Sequence, residues 1–126
     1  MSFFDKIFGG KSEASEQKSF WKKIEDEADL KVAIENSYAY KIGIFKHSTS
    51  CFISKTVLRN FEKEVENQNE FGQELYYLDL LAHRALSNKI AEDLGIRHES
   101  PQFIVIENGV AVNNASHQDI SLSQLL

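Results

Sequence analysis

The stretch KIGIFKHSTSCFISKTVLRNFEKEVE, residues 41–66, changes its hydrophobic period halfway along. Its first part, with Ile42, Ile44 and Phe45, is rich in β-branched and aromatic side chains and short enough for a buried strand. From Ile53 onward the apolar residues recur at Val57, Leu58, Phe61 and Val65, the spacing of one helix face. Between the two lie Ser48, Thr49, Ser50 and the only cysteine of the chain, Cys51. The cysteine therefore falls where a strand passes into a helix. In open α/β sheets the working crevice lies beyond the C-terminal ends of the parallel strands, and that is where this sulfur is expected.

The flanking sequence continues the alternation. FWKKI (20–24) reads as a short strand, and EDEADLKVAIENSYAY (25–40) as a helix with early carboxylates and with Leu30, Val32, Ala33 and Ile34 supplying its apolar positions. ELYYLDLL (74–81) predicts a third strand, and ALSNKIAEDLG (85–95) a helix with Leu86, Ile90 and Leu94 on one face and Gly95 as its stop. QFIVIENGVAVNN (102–114) predicts a hairpin turning at Asn108 and Gly109, and HQDISLSQLL (117–126) a final helix capped near Asp119 or Ser121. The order β-α-β-α-β-α-β-β-α implies an α/β fold, a mixed sheet of four to five strands with helices on both faces. The first three strands are expected to be parallel, because helices join them, and the last hairpin antiparallel.

Composition narrows the function classes. A chain of 126 residues with 42% hydrophobic content suits one domain with a real core, here residues 20–126. A net charge of −5 and no basic stripe argue against nucleic acid as a partner. No stretch approaches the ~20 apolar residues of a membrane span, and a lone cysteine makes no internal disulfide, so a cytoplasmic protein is expected. Residues 1–19 read as a flexible N-terminal tail: Phe3, Phe4, Ile7 and Phe8 form a short amphipathic segment, followed by Gly9, Gly10 and a polar run. The sharper reading of that segment is a small anchor that docks on a membrane surface or on a partner, against which stands the marginal stability of so short a helix in water.

A lone cysteine is most often an inert, buried small hydrophobe. Position alters the balance here, because a sulfur in the first turn of a helix faces unpaired N–H groups and the positive end of the helix dipole, which favour thiolate. Lys46 and His47 are expected to add positive charge nearby. Ser54, one turn along from Cys51, is placed either to donate a hydrogen bond to the thiolate or to sit in solvent bonding to its own backbone. With serine at that position an internal Cys-x-x-Cys disulfide is impossible, so an outside thiol must resolve any mixed disulfide. Pro101, the sole proline, precedes a strand; statistics favour an ordinary trans turn, whereas a cis Ser100–Pro101 bond would leave the Ser100 backbone for an extended substrate.

These residues bring the sequence to a known family. FKHSTSCFIS (45–54), SNKIAEDLGIRHESPQ (87–102) and NNASHQDIS (113–121) together resemble the YtxJ type of monothiol bacilliredoxin, over about Trp21 to Leu125. The resemblance implies a thioredoxin-like fold and an oxidoreductase that removes bacillithiol, or a similar low-molecular-weight thiol, from mixed disulfides on S-thiolated client proteins. It implies Cys51 as the attacking sulfur, Ser54 as the replacement of the resolving cysteine and Pro101 as a cis-proline. It also implies that Ser48, Thr49 and His98 to Gln102, Ser100 among them, line the thiol or peptide groove, with Phe52 expected as a further substrate-binding residue beside it. The small thiol would be a co-substrate, with no permanently bound cofactor and no metal. Phe52 departs from the family, which usually has proline there.

Other readings are a binding-only module that holds a peptide in the same groove without chemistry and, more remotely, an iron–sulfur carrier, for which bulky Phe52 leaves little room. His47, His83, His98 and His117 have no metal-ligand spacing and read as ordinary hydrogen-bonded or surface histidines.

Overall fold

The computed structural model describes residues 18, 20–68 and 74–125. All but Lys18 of the tail read over residues 1–19, including its amphipathic segment, lies outside the described residues. The elements are β1 (Trp21–Lys23), α1 (Glu27–Asn36), β2 (Ile42–His47), α2 (Phe52–Glu66), β3 (Glu74–Asp79), α3 (Arg84–Leu94), β4 (Gln102–Glu107) and β5 (Val110–Ser116). The strands form one sheet in the order β1-β3-β2-β4-β5. β1, β3 and β2 run parallel, while β4 and β5 are antiparallel to their neighbours.

The period of two along each strand divides the core into two layers. Ile42 and Ile44 of β2, Tyr76 and Leu78 of β3, and Ile104 and Ile106 of β4 face Leu30 and Ala33 of α1 and Leu86 and Ile90 of α3. Their neighbours Phe45, Leu75, Phe103 and Val105 face Val57, Phe61 and Val65 of α2, with Trp21, Leu122 and Leu125 completing that layer. Helices thus cover both faces, and β2 at the centre is buried at all six positions.

Local chemistry sets the ends. Asp26 caps α1 by accepting from the Asp29 N–H at 2.8 Å, and Gly95 ends α3 in the left-handed region at φ +66°. The hairpin turns at Asn108 (φ +55°) and Gly109 (φ +78°), with both N–H groups donating to Ser37, to its carbonyl and its hydroxyl respectively.

Two expectations are corrected. α1 stops at Asn36 rather than running to Tyr40, and its Val32 is half exposed, so the stripe narrows to Leu30 and Ala33 with partly buried Ile34. HQDISLSQLL is not one helix but two 3₁₀ turns, His117–Asp119 and Leu122–Gln124, separated by extended Ile120. The reason is local: Ser121 and Gln124 form a capping box that starts a new turn just where a continuous helix would need uninterrupted backbone bonding.

Gly43 illustrates how tightly the α2 layer is filled. A methyl group added there would overlap the Phe103 ring. Gly43→Ala is expected to destabilise the domain by about 1–3 kcal/mol through overpacking, measured by urea unfolding, and Gly43→Ala with Phe103→Leu to recover part of the loss.

Candidate active site

β2 ends in two polar residues, and the pleat sends them to opposite faces. Lys46 follows Ile42 and Ile44 to the side of α1 and α3, where it is fully buried. Its Nζ donates to the Ser87 carbonyl at 3.0 Å and lies 3.3 Å from His98 Nδ1, and burial pulls the ammonium down to about 8. His47 follows Phe45 to the side of α2 and is 4% exposed. Burial pushes its imidazole down to about 4, the Asp79 carboxylate opposing and the Lys55 ammonium adding. The positive charge expected from this pair beside Cys51 is therefore not delivered. Desolvation leaves His47 neutral at physiological pH, and strand alternation turns Lys46 away from α2.

After His47 the chain runs through Ser48, Thr49 and Ser50 to Cys51, which occupies the N-cap position of α2 in an extended conformation, φ −103° and ψ 123°. Its side chain makes no cap hydrogen bond to the helix. The Cys51 N–H donates to the Ser48 carbonyl at 3.1 Å, closing a turn, and the Cys51 carbonyl accepts the Lys55 N–H at 3.0 Å. The thiol is free and half-buried. Next to it Phe52 is 78% exposed and Ile53 47%, an unusual display of apolar surface at a helix start.

Ser54 is fully buried, which corrects the solvated alternative. Its Oγ stands 2.7 Å from His47 Nδ1 and accepts the Ser48 N–H at 3.1 Å. The hydroxyl thus faces the strand end and the turn. A sequence reading had no means of choosing this direction, because the partner lies on a neighbouring element.

The segment before β4 closes the site from the other side. Lys46↔Gln102 is the last antiparallel pair of β2 and β4, so Pro101 comes immediately beyond the ladder, beside the exit of β2. The Ser100–Pro101 bond is cis, Pro101 is buried, and its carbonyl accepts the His117 N–H at 3.0 Å. Ser48 and Ser100 are half-buried and Thr49 is exposed. His98 is half-buried and Gln102 is buried. His98 Nδ1 lies 3.2 Å from Ser87 Oγ, its imidazole lowered by burial with Lys46 and Arg84 adding and Glu99 opposing. Gln102 is buried and donates to the Arg97 carbonyl at 2.9 Å. Both belong to the scaffold under α3, where the pleat of β4 sends Gln102 with Ile104 and Ile106.

Two cavities flank the start of α2. The larger, about 890 Å³, opens on the side of β1 and β3 and is lined by His47, Thr49, Lys55, Tyr77, Asp79 and His83 among others. The smaller, about 270 Å³, lies between Phe52, Ile53, Val57 and the C-terminal segment with Gln118 and Ile120. Thr49 lines the larger of the two. Asp79, Gln118 and Ile120 went unread in the sequence because nothing local distinguishes them; only packing brings them to this rim.

Among the described residues no group of histidine, cysteine, aspartate and glutamate is arranged to hold a metal ion, and no helix is long and apolar enough to cross a membrane. Residues 22–125 match the family model for monothiol bacilliredoxin BrxC. The chain is similar to a solved structure described as a candidate oxidoreductase with a thioredoxin fold, at 32% identity and TM-score 0.69, covering 84% of this chain and 90% of that one. It shares its fold with the thioredoxins of Malassezia sympodialis (21% identity, 82% and 83% covered, TM-score 0.63) and Fasciola hepatica (18%, 77% and 86%, 0.61).

The low proton affinity of His47 gives a pH signature. An unfolded chain takes up this proton near the ordinary 6.5 and the folded one only near 4, so between them the unfolded state binds more protons and stability is lost as pH falls. Relative to His47→Asn, the wild-type protein is expected to lose about 2–3 kcal/mol between pH 7 and pH 4 in urea unfolding. Parallel curves for the two proteins would show that the ring is not held neutral by burial.

Proposed function

The chain belongs to the monothiol bacilliredoxin family, and on that footing we propose that Cys51 removes a low-molecular-weight thiol, bacillithiol or an analogue, from mixed disulfides on client proteins. The observation that carries the reading is the placement of the only cysteine: half-buried, uncapped, at the start of α2 on the rim where β2 ends. The thiolate of that cysteine is the attacking form.

In the proposed cycle the Cys51 thiolate attacks the small-thiol sulfur of the mixed disulfide. The bond from Cys51 to that sulfur forms as the old disulfide breaks, and the client cysteine leaves as a thiolate that takes up a proton. A second small-thiol thiolate then attacks the adduct, releasing the symmetrical small-thiol disulfide and restoring Cys51. No electrons enter from elsewhere, and the small thiol is the reductant. With one cysteine in the chain, reset from outside is the only route. Ser48, Phe52 and the segment Ser100–Pro101 surround the approach to the sulfur in this reading, Thr49 reaching it from the larger cavity. No described residue hydrogen-bonds to the backbone of Ser100, so its polar groups are left for an extended client segment. The chemistry requires a compartment in which thiols are kept reduced, such as the cytoplasm.

A second reading has its own support. The exposed apolar pair Phe52 and Ile53, beside the smaller cavity, would also suit a module that binds a client segment without exchange. The two separate in one experiment that follows release of a model protein capped with the small thiol. Wild type is expected to accelerate release and Cys51→Ser to lose at least about a hundredfold of that acceleration, since the nucleophile is gone. Equal rates would leave only the binding module. Mass spectrometry of protein isolated without reductant is expected to show one small-thiol adduct, on Cys51.

A further inference from the structure

The buried bond between His47 and Ser54 has a direction that donor and acceptor inventory decides. Ser54 Oγ is fully buried and already accepts the Ser48 N–H, a group that can only donate. The hydroxyl hydrogen needs an acceptor, and His47 Nδ1 at 2.7 Å is the one within reach among the described residues. An unmet hydroxyl in so dry a place is costly, so the hydrogen goes to the ring and His47 carries its own proton on Nε2. Burial keeps the ring neutral and therefore able to accept.

This direction turns three bonds into a chain. His47 Nδ1 accepts from Ser54 Oγ, Ser54 Oγ accepts from the Ser48 N–H, and the Ser48 carbonyl accepts from the Cys51 N–H at 3.1 Å. The first member is anchored in the central strand, its ring lying against Phe45 and Tyr77 at centroid distances of 6.5 and 5.8 Å. The last is the backbone of the residue that bears the thiol. Among the described residues no other side chain ties this turn, and the Cys51 side chain makes no cap bond to α2.

We propose that His47 is a positioning residue, which by accepting the Ser54 hydroxyl hydrogen fixes the Ser48–Cys51 turn and thereby the place from which the sulfur attacks. Ser54 on this account serves the turn and does not donate to the thiolate. The rate effects expected below rest on the exchange chemistry proposed for Cys51; the geometry of the turn does not.

Amide hydrogen exchange reads the turn directly. His47→Ala and Ser54→Ala are each expected to speed exchange of the Ser48 N–H about tenfold, and the double variant to go no further, because both break one chain. His47→Asn, whose side-chain oxygen can stand near the place of Nδ1, is expected to restore protection to within about threefold of wild type. Client release would fall in step with the loss of protection, and thermal unfolding measured alongside separates general destabilisation from loosening of the turn. Unchanged Ser48 exchange in the single variants, additive effects in the double, or no rescue by His47→Asn at equal stability would each overturn the proposal. Absence of release activity in the wild type, with the exchange pattern as expected, would overturn the exchange chemistry and leave the positioning intact.

Discussion

Everything in this structure depends on β2 being buried on both faces. All six of its residues are shut off from water, so each side chain must be matched by the layer it enters. Ile42 and Ile44 are matched by α1 and α3, Phe45 by α2, and Gly43 leaves room for the Phe103 ring. The last two residues obey the same alternation but are polar, and burying them is tolerable only if each finds partners. Lys46 finds Ser87 and His98 on one side, and His47 finds Ser54 on the other. The strand that organises the core therefore also organises, through its final pair, the segment before Pro101 and the turn before Cys51.

The hydrophobic periods made most of this fold legible. The β-branched and aromatic runs of β2 and β4 and the repeat Val57, Phe61, Val65 are strong because these strands are clad on both faces and α2 on the side that its repeat marks. Asn108 and Gly109 were readable for a different reason, since a two-residue turn needs φ above zero at both places. The C-terminal segment misled because its apolar residues suit a helix while its serines favour new caps, and local hydrogen bonding won. In the site, the place of Cys51 followed from the switch of period. What Lys46 and His47 do there did not follow, because charge in a sequence says nothing of desolvation. Lys46 meets its partners 41 and 52 residues away.

The site divides into a rigid back and an open front. Behind Cys51 stand buried His47 and Ser54; in front are exposed Phe52 and Ile53. A fold by itself does not carry chemistry, which lies in the site built on it. The division matters for a single-sulfur mechanism. Under the proposed exchange the small-thiol sulfur is met first by Cys51 and then, once held on Cys51, by a second small thiol, which calls for an accessible approach, while Cys51 must stay in place to attack and then to leave, which calls for fixed backbone.

Serine at position 54 fits that demand better than a second cysteine would. The side chain there is 0% exposed, and its oxygen both accepts from Ser48 and reaches His47. A thiol is a weak donor and a weak acceptor, and its longer bond and larger atom would meet both partners at the wrong distance. Cysteine at 54 would thus offer an internal way to reset Cys51 at the expense of the bonds that hold the turn. The hydroxyl keeps those bonds, and under the proposed exchange it leaves the reset to a small thiol that arrives at the open front. The same oxygen then accounts for both halves of the monothiol character, a fixed attacking sulfur and the lack of an inner partner for it.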